Sequence, residues 1–381
     1  MTEVILSGFQ MSCAISKGTI LQHGGYSRDM SQKVDENVVK LPEKWLSLLI
    51  PVYNVRPYLR QCIVSIVTQI DLEGVEIILL DDDSTDGSRQ LCEEICKEHD
   101  GRIQLMYHAE NRGLSAARNT MMEVATGKYL WFIDSDDEML PGAIKGLRGV
   151  LDRYAPDIVM CDYRKQGKVY SSFSGESGSF QSDIDALIGG IFENRRMHIW
   201  SKISRRELWA DDLRFPVGRC FEDISTVPWL FLRARSFYHV PEPWIIYRIR
   251  PDSIMGMVSR TRGFFDDKRN DDLALSLIDF DKNMKEKVSN ITASTIYAIA
   301  NFCGKEYTKI SYRLLSNKLF HDKWSDLSKK INRYYEMMEA CSPMPFSYLA
   351  REHLRRRNIG RWVVLTLFLA LVAYQPRRSR R

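Results

Sequence analysis

The chain of 381 residues contains no C-x-x-C pair and no H-E-x-x-H, so neither a zinc ribbon nor a zincin-type metal site is written into it. Its eight cysteines (Cys13, Cys62, Cys92, Cys96, Cys161, Cys220, Cys303 and Cys341) stand singly. Cys62 and Cys92 fall within helical apolar patterns, where a thiol behaves as a small buried hydrophobe. That usage suits a reducing cytoplasm better than an exported disulfide framework. The first strand-to-helix turn lacks G-x-G-x-x-G, which removes the dinucleotide fingerprint, and the absence of G-x-x-x-x-G-K-[ST] removes a P-loop ATPase. Residues 1–45 hold no unbroken apolar core, so we expect a loosely ordered extension rather than a cleavable secretory signal. The chain has no internal repeat and no low-complexity tract.

Acidic charge is also scarce in one place. From Arg351 to Arg381 nine arginines face a single acid, Glu352, so the net charge of +5 belongs to the tail and the rest of the chain is slightly acidic. Within that tail Trp362–Tyr374 (WVVLTLFLALVAY) carries no charge. As a helix rising about 1.5 Å per residue it covers roughly 20 Å, too little to span a bilayer core of about 30 Å. Basic flanks and bracketing aromatics point to a segment that dips into one leaflet of an anionic membrane surface. The plainer expectation is a last core helix of the body. The arginines bracket an apolar helix instead of lining a polar groove, so no nucleic-acid partner is expected.

From Leu46 onward the pattern is strong. Leu46–Val52, Val75–Leu80, Ile103–Tyr107, Lys128–Ile133 and Asp157–Cys161 read as short buried strands. Helical spacing separates them, at Leu59 to Val67, Asp86–His99, Leu114–Ala125 and Pro141–Tyr154. Five strands alternating with helices predict an α/β fold, a mostly parallel sheet with helices on both faces. Beyond it come a Ser/Gly-rich surface hairpin or loop at Tyr170–Gln181, an aromatic segment at Ile199–Ser204, a helix near Asp223–Arg233, a strand at Trp244–Ile249, and helical patterns from Thr261 to Met344.

In open parallel sheets ligands bind beyond the carboxyl ends of the strands. Here those ends read Pro51-Val52-Tyr53-Asn54, Asp81-Asp82-Asp83-Ser84-Thr85-Asp86, Asn111-Arg112-Gly113 and Asp134-Ser135-Asp136-Asp137. Packing so many carboxylates on one rim is costly unless a cation or hydrogen-bond donors satisfy them. Asp134 and Asp136, two apart in an extended segment, can face one point. Hard oxygen ligands of this kind suit Mg²⁺ or Mn²⁺, which retain places for water and phosphate oxygens. Short acidic triplets are common in solvated loops; the preceding apolar strand and the second acidic strand end are what lend this one weight.

The runs LSLLIPVYNVRPYLRQCIVSIVTQ, VEIILLDDDSTDGS and NRGLSAARNTMMEVATGKYLWFIDSDDEMLPGAI, in this order, resemble glycosyltransferase family 2, strongly over Leu46–Asp162 and more loosely to Met257. The resemblance implies the GT-A fold and transfer of a sugar, with inversion, from a nucleotide-diphosphate sugar (a UDP-sugar) to an acceptor hydroxyl. It implies that Pro51 and Tyr53 line the nucleotide pocket, that Asp82 meets the base, and that Arg118 lies near the donor phosphates or supports their loop. Asp134, Ser135 and Asp136 would contact the donor, with Asp134 and Asp136 on the metal. Phe221-Glu222-Asp223 resembles the family's Glu-Asp motif, which makes Asp223 the base. A carboxylate at a helix start is also expected to be held ionised by the helix dipole, although acids at helix starts are common without any catalytic role. Trp200 and Lys202, and the strand-borne Arg248 and Arg250, resemble segments of polysaccharide-building members and are candidates, with Glu222, for acceptor or diphosphate contact. Where Asp83 stands the family usually has Gly, so the loop after the second strand is expected to bend differently.

The expected organisation is an extension (1–45), a nucleotide-sugar half (46–163), an acceptor half (164–258), a helical region (259–345) and a basic apolar tail (346–381). The expected setting is the inner face of the cell membrane, with a glycan or lipid-linked acceptor. A sugar nucleotidyltransferase would carry a Gly-rich basic loop after the first strand, and Asn54-Val55-Arg56-Pro57 is not one. A non-catalytic nucleotide-sugar-binding scaffold is disfavoured because all the expected acids are present.

Overall fold

The computed structural model describes residues 44–69, 72–99, 101–210, 212–250, 267–318 and 324–373. The expected N-terminal extension lies almost wholly outside them, as do residues 251–266, with Asp252 and Ser253, and the tail from Tyr374 on.

The first strand, β1 (Leu46–Val52), is buried along its whole length. Its side chains alternate between two cores: Leu48 and Ile50 join one cluster and Leu49 the other. Beside it run β2 (Val75–Asp81) and β4 (Tyr129–Phe132), both parallel, and β3 (Ile103–Tyr107) pairs in parallel with β2. The helices between them are α1 (Arg56–Val67), α2 (Ser88–Glu98) and α3 (Leu114–Val124). Next come β5 (Glu138–Met139), α4 (Ala143–Tyr154) and β6 (Ile158–Lys165), which runs four residues past its expected end. It turns at Gln166-Gly167 into β7 (Lys168–Tyr170). Both turn residues have positive φ, the geometry of a tight hairpin.

The second half departs from simple alternation. After β8 (Phe180–Gln181) and α5 (Ile184–Asn194), a single 3₁₀ turn at Ile199–Ser201 leads into β9 (Lys202–Arg205). This strand inserts antiparallel between β4 and β6. A four-residue strand is too short to show periodicity, which is why the aromatic segment carried no strand signal. Helix α6 (Glu222–Phe231) and β10 (Phe237–Ile246) follow. The last strand was expected at Trp244–Ile249; it starts seven residues earlier because the Pro241 and Pro243 region carries a register shift that breaks the alternation. Along the sheet the order is β3-β2-β1-β4-β9-β6-β10-β5. β9, threading back between parallel neighbours, brings Lys202 to the rim where β4 ends.

Helices then cover one face of the sheet: Asp267–Ala274, Phe280–Lys287, Ala293–Lys318, Trp324–Ala340, Phe346–Arg355 and Ile359–Ala373. They share one core with α5, in which Phe192 meets Phe280 and Phe302 edge-on or tilted. The final helix packs Leu365 and Phe368 into that core while Ile359, Val363, Leu367 and Ala370 face outward. The two expectations for the tail therefore meet in one element: one side docks on the body and the other stays open. None of the described helices is long and apolar enough to cross a membrane.

Candidate active site

The chain leaves β4 straight into Asp134-Ser135-Asp136-Asp137. A turn closed by the Asp137 amide on the Asp134 carbonyl at 3.0 Å folds the three carboxylates together. One oxygen from each of Asp134, Asp136 and Asp137 lies within 4.8 Å of the others. Burial and the neighbouring Asp134 push the Asp136 carboxyl above its usual range, and burial with both neighbours pushes Asp137 well above it. Asp137 accepts from the Arg248 amide at 2.8 Å through Oδ1, while its buried Oδ2 has no hydrogen-bond partner. A buried carboxylate oxygen left unsatisfied beside two further carboxylates fits a hard divalent cation such as Mg²⁺ or Mn²⁺. Sequence reasoning named Asp134 and Asp136; Asp137 was visible as the last acid of the run but was passed over.

Across the rim, Arg118 reaches out of α3. It is 1% exposed, and its guanidinium donates to Asp134 at 3.1 Å, to Glu222 at 3.0 Å and to Asp223 at 3.2 Å. The guanidinium also lies over the Phe215 ring, 5.1 Å from its centroid. Asn119 fixes that ring by gripping the Phe215 backbone twice, donating to its carbonyl at 2.8 Å and accepting from its amide at 2.9 Å. Neither Asn119 nor Phe215 could be found from spacing, since they lie 96 residues apart. Arg118 supports acids on both sides of the rim at once.

Glu222 and Asp223 open α6, and the residue before them, Phe221, has φ 60, a conformation unusual for a bulky side chain. Such a turn is held by its surroundings, and it aims the two acids at Arg118. The helix dipole was expected to keep Asp223 ionised. Burial outweighs it: the carboxyl is pushed up to about 7, with Arg118 as the chief opposing influence.

At the end of β2, Asp82 is buried and engaged by His108 Nδ1 at 2.5 Å, the Arg112 amide at 3.0 Å and the Gly113 amide at 2.7 Å. It ties the ends of β2 and β3 to the start of α3. Asp83 has φ 61, the left-handed region in which glycine is at ease and Asp is tolerated. The residue thus adopts a backbone conformation in which glycine is at ease. Pro51 is buried at the end of β1, and Tyr53 stands half-exposed beyond it.

The acceptor candidates sort differently. Lys202 is fully buried; its Nζ donates to the Arg196 carbonyl and to Ser201 Oγ, both at 2.7 Å, so it braces a turn. Trp200 is buried too, stacked between His198 at 5.0 Å and Tyr247 at 5.6 Å. Arg248 and Arg250 were placed on one strand face; they lie past the end of β10, yet both guanidiniums lie over the Tyr58 ring, at 5.0 and 5.3 Å. Arg248 bonds Glu138 and Gln61, and Arg250 pairs with Asp136 at 2.6 Å.

Residues 47–204 match the profile of glycosyl transferase family 2. Glycosyltransferase GlyA of Streptococcus pneumoniae is 32% identical over 221 residues, 55% of this chain but only 31% of GlyA, so the chain spans less than a third of that relative. A GalNAc(5)-diNAcBac-PP-undecaprenol beta-1,3-glucosyltransferase of Campylobacter jejuni is 26% identical over 298 residues, covering 75% of this chain and 89% of that one. The structure of TarS residues 1–349 from S. aureus, in complex with UDP-GlcNAc, superposes with a TM-score of 0.63 at 18% identity, covering 88% of this chain and 93% of that one. That likeness is one of fold: a GT-A sheet followed by helices. Residues 47–204 carry a glycosyl transferase family 2 domain, and the fold is a GT-A sheet extended by a helical C-terminal region.

Proposed function

We propose that this chain is an inverting sugar transferase that uses a nucleotide-diphosphate sugar, a UDP-sugar in the first instance, and an acceptor hydroxyl on a surface polysaccharide or lipid-linked glycan. The observation that carries the reading is the Arg118 bridge, which joins an acid at the β4 end to two acids at the start of α6. Donor-side and acceptor-side carboxylates thereby share one rigid support, as a displacement needing both in register requires.

In this reading residues 46–163 take the donor. Pro51, Tyr53 and Asp82 form the base side of the pocket, and Ser135 lies in the turn between Asp134 and Asp136. Asp134 and Asp136, with Asp137 beside them, would hold Mg²⁺ or Mn²⁺. Once bound, the ion would neutralise charge on the departing diphosphate. Asp223 accepts the acceptor's hydroxyl proton as that oxygen bonds to the anomeric carbon, while the bond from that carbon to the diphosphate oxygen breaks on the opposite side. Residues 164–258 would present the acceptor.

The outward side of the last helix supports attachment to an anionic membrane surface. Leu367 is 62% exposed, and Ile359, Val363 and Val364 are also open, with Arg351, Arg355, Arg356, Arg357 and Arg361 exposed around them. Exposed apolar residues with guanidiniums on the same and the preceding helix complement acyl chains under acidic headgroups. The name of the Campylobacter relative, which carries an undecaprenol-linked acceptor, is consistent with this placement.

The test is release of nucleoside diphosphate from a panel of uridine and guanosine nucleotide sugars, with Mn²⁺ and a membrane extract as acceptor. Release that requires metal and Asp223 supports the transferase. Absence of release with every donor favours a binding scaffold.

A further inference from the structure

Beside the acid rim stands a group of cations with no acid to face. At the rim itself, Arg118, Arg248 and Arg250 each pair with a carboxylate. Lys165 and Arg196, next to them, pair with none among the described residues. Lys165 Nζ lies over the Tyr247 ring at 4.9 Å, and the Arg196 guanidinium over Tyr163 at 5.9 Å, with its buried Nε unpartnered. Aromatic faces attract a cation but carry no net charge to neutralise it. The surplus has a further sign: burial, and then Lys202, Arg196 and Lys165, push the His198 imidazole down to about 3.

The setting is built. His198, Trp200 and Tyr247 stack in a column, and Tyr163 meets Trp200 edge-on at 4.9 Å. Buried Lys202 locks the turn that carries Arg196. The column also abuts the acid site, since Arg248, next to Tyr247, donates its amide to Asp137. The hairpin supplying Lys165 adds Arg164 and Lys168 and has no acid between Tyr163 and Tyr170.

We propose that Lys165 and Arg196 form an anion subsite for the acceptor, so that the favoured acceptor carries a phosphate, as a diphosphate or a phosphodiester, close to the hydroxyl that receives the sugar. This deepens the transferase reading and rests on it. The donor's own diphosphate is drawn instead to the acid cluster, through the divalent ion that those residues fit. Two cations set against Tyr247 and Tyr163, neither paired with an acid among the described residues, thus select a second phosphate.

The experiment uses the full chain and three probes in separate titrations: a polyprenyl-diphosphate-linked N-acetylglucosamine, a poly(glycerol phosphate) oligomer and an uncharged chitooligosaccharide. UDP with Mn²⁺ is titrated alongside. At least one phosphate probe is expected to bind in a salt-sensitive way, weakening about tenfold for each charge removed in Lys165→Gln and Arg196→Gln. UDP affinity is expected to stay level, and Lys165→Arg to restore probe binding. Which of the two phosphate probes binds identifies the source of the phosphate. Lys165→Gln alone decides the matter if the Arg196 variant does not fold. Equal binding of phosphate probes by wild type and Lys165→Gln overturns the proposal, as does a parallel loss of UDP, which would put the cations in the donor site. Failure of wild type to bind any nucleoside diphosphate would instead sink the transferase reading.

Discussion

Arg118 and Asp223 are joined by a 3.2 Å ion pair between α3 and the start of α6, 105 residues apart in sequence, and the same guanidinium holds Asp134 at 3.1 Å. Removing the cation leaves three partly buried acids facing one another around a buried gap. Arg118→Ala is therefore expected to cost about 3–5 kcal/mol of stability, the usual range when one partner of a buried pair is deleted. Arg118→Lys retains charge but not the planar fork, so it should fold better than the alanine variant while turnover stays strongly reduced. Urea unfolding beside diphosphate release separates the two effects.

With Asp223 as the proposed base, its carboxyl, raised to about 7 by burial, would set the pH profile. A base works deprotonated, so kcat/KM should climb with pH up to about 7 and level off above it. Stability runs the other way. An unfolded chain releases this proton near 3.8 and the folded one near 7, so folding loses free energy as pH rises across that interval. Asp223→Asn should flatten the stability slope and abolish transfer while sparing donor binding. Chemical unfolding between pH 4 and 8, paired with a donor titration, reads both.

Asp136 and Asp137 have carboxyls held above the usual range by burial and by the neighbouring charge of Asp134. Binding of Mn²⁺ there should release protons and weaken as pH falls. Calorimetry of Mn²⁺ with UDP in buffers of different ionisation heat counts the protons. Zero release, or unchanged affinity in Asp137→Asn, would remove Asp137 from the ligand set.

At Asp83, with φ 61, backbone strain is separable from chemistry. Asp83→Gly should be neutral or stabilising by less than about 1 kcal/mol, whereas Asp83→Val should cost about 1–2 kcal/mol. Thermal melts of the two variants check the order.

The last helix can be tested by charge. Leu367→Glu places an acid on its open side, away from Leu365 and Phe368. Sedimentation with vesicles rich in phosphatidylglycerol should fall sharply in this variant with the melting temperature unchanged. Equal sedimentation of wild type and variant would argue that the open side serves another purpose.

Much of the donor half was legible because strand, helix and motif coincide there: Leu46–Val52 is both a run buried on two faces and the lead-in to Pro51 and Tyr53. The acids at the β4 end were legible for the same reason. What stayed hidden depends on contacts distant in sequence. β9 is four residues long and antiparallel, so neither its length nor its direction shows in a periodicity. Lys202 and Trp200 were singled out by resemblance alone, and their burial depends on contacts that no local pattern shows. Lys165 and Arg196 gave no signal, since unpaired charge is a property of the neighbourhood and not of the residue.

In the proposed reaction, carboxylates from the β4 end would grip the diphosphate through a divalent ion, opposite the acid at the head of α6. The most direct measurement is UDP binding by wild type and Asp136→Asn, each with and without Mn²⁺. Tight binding is expected only for wild type with metal, and weak binding in the other three cases. UDP held equally well without the ion, or by the variant with it, would mean that these carboxylates do not grip the diphosphate through a metal.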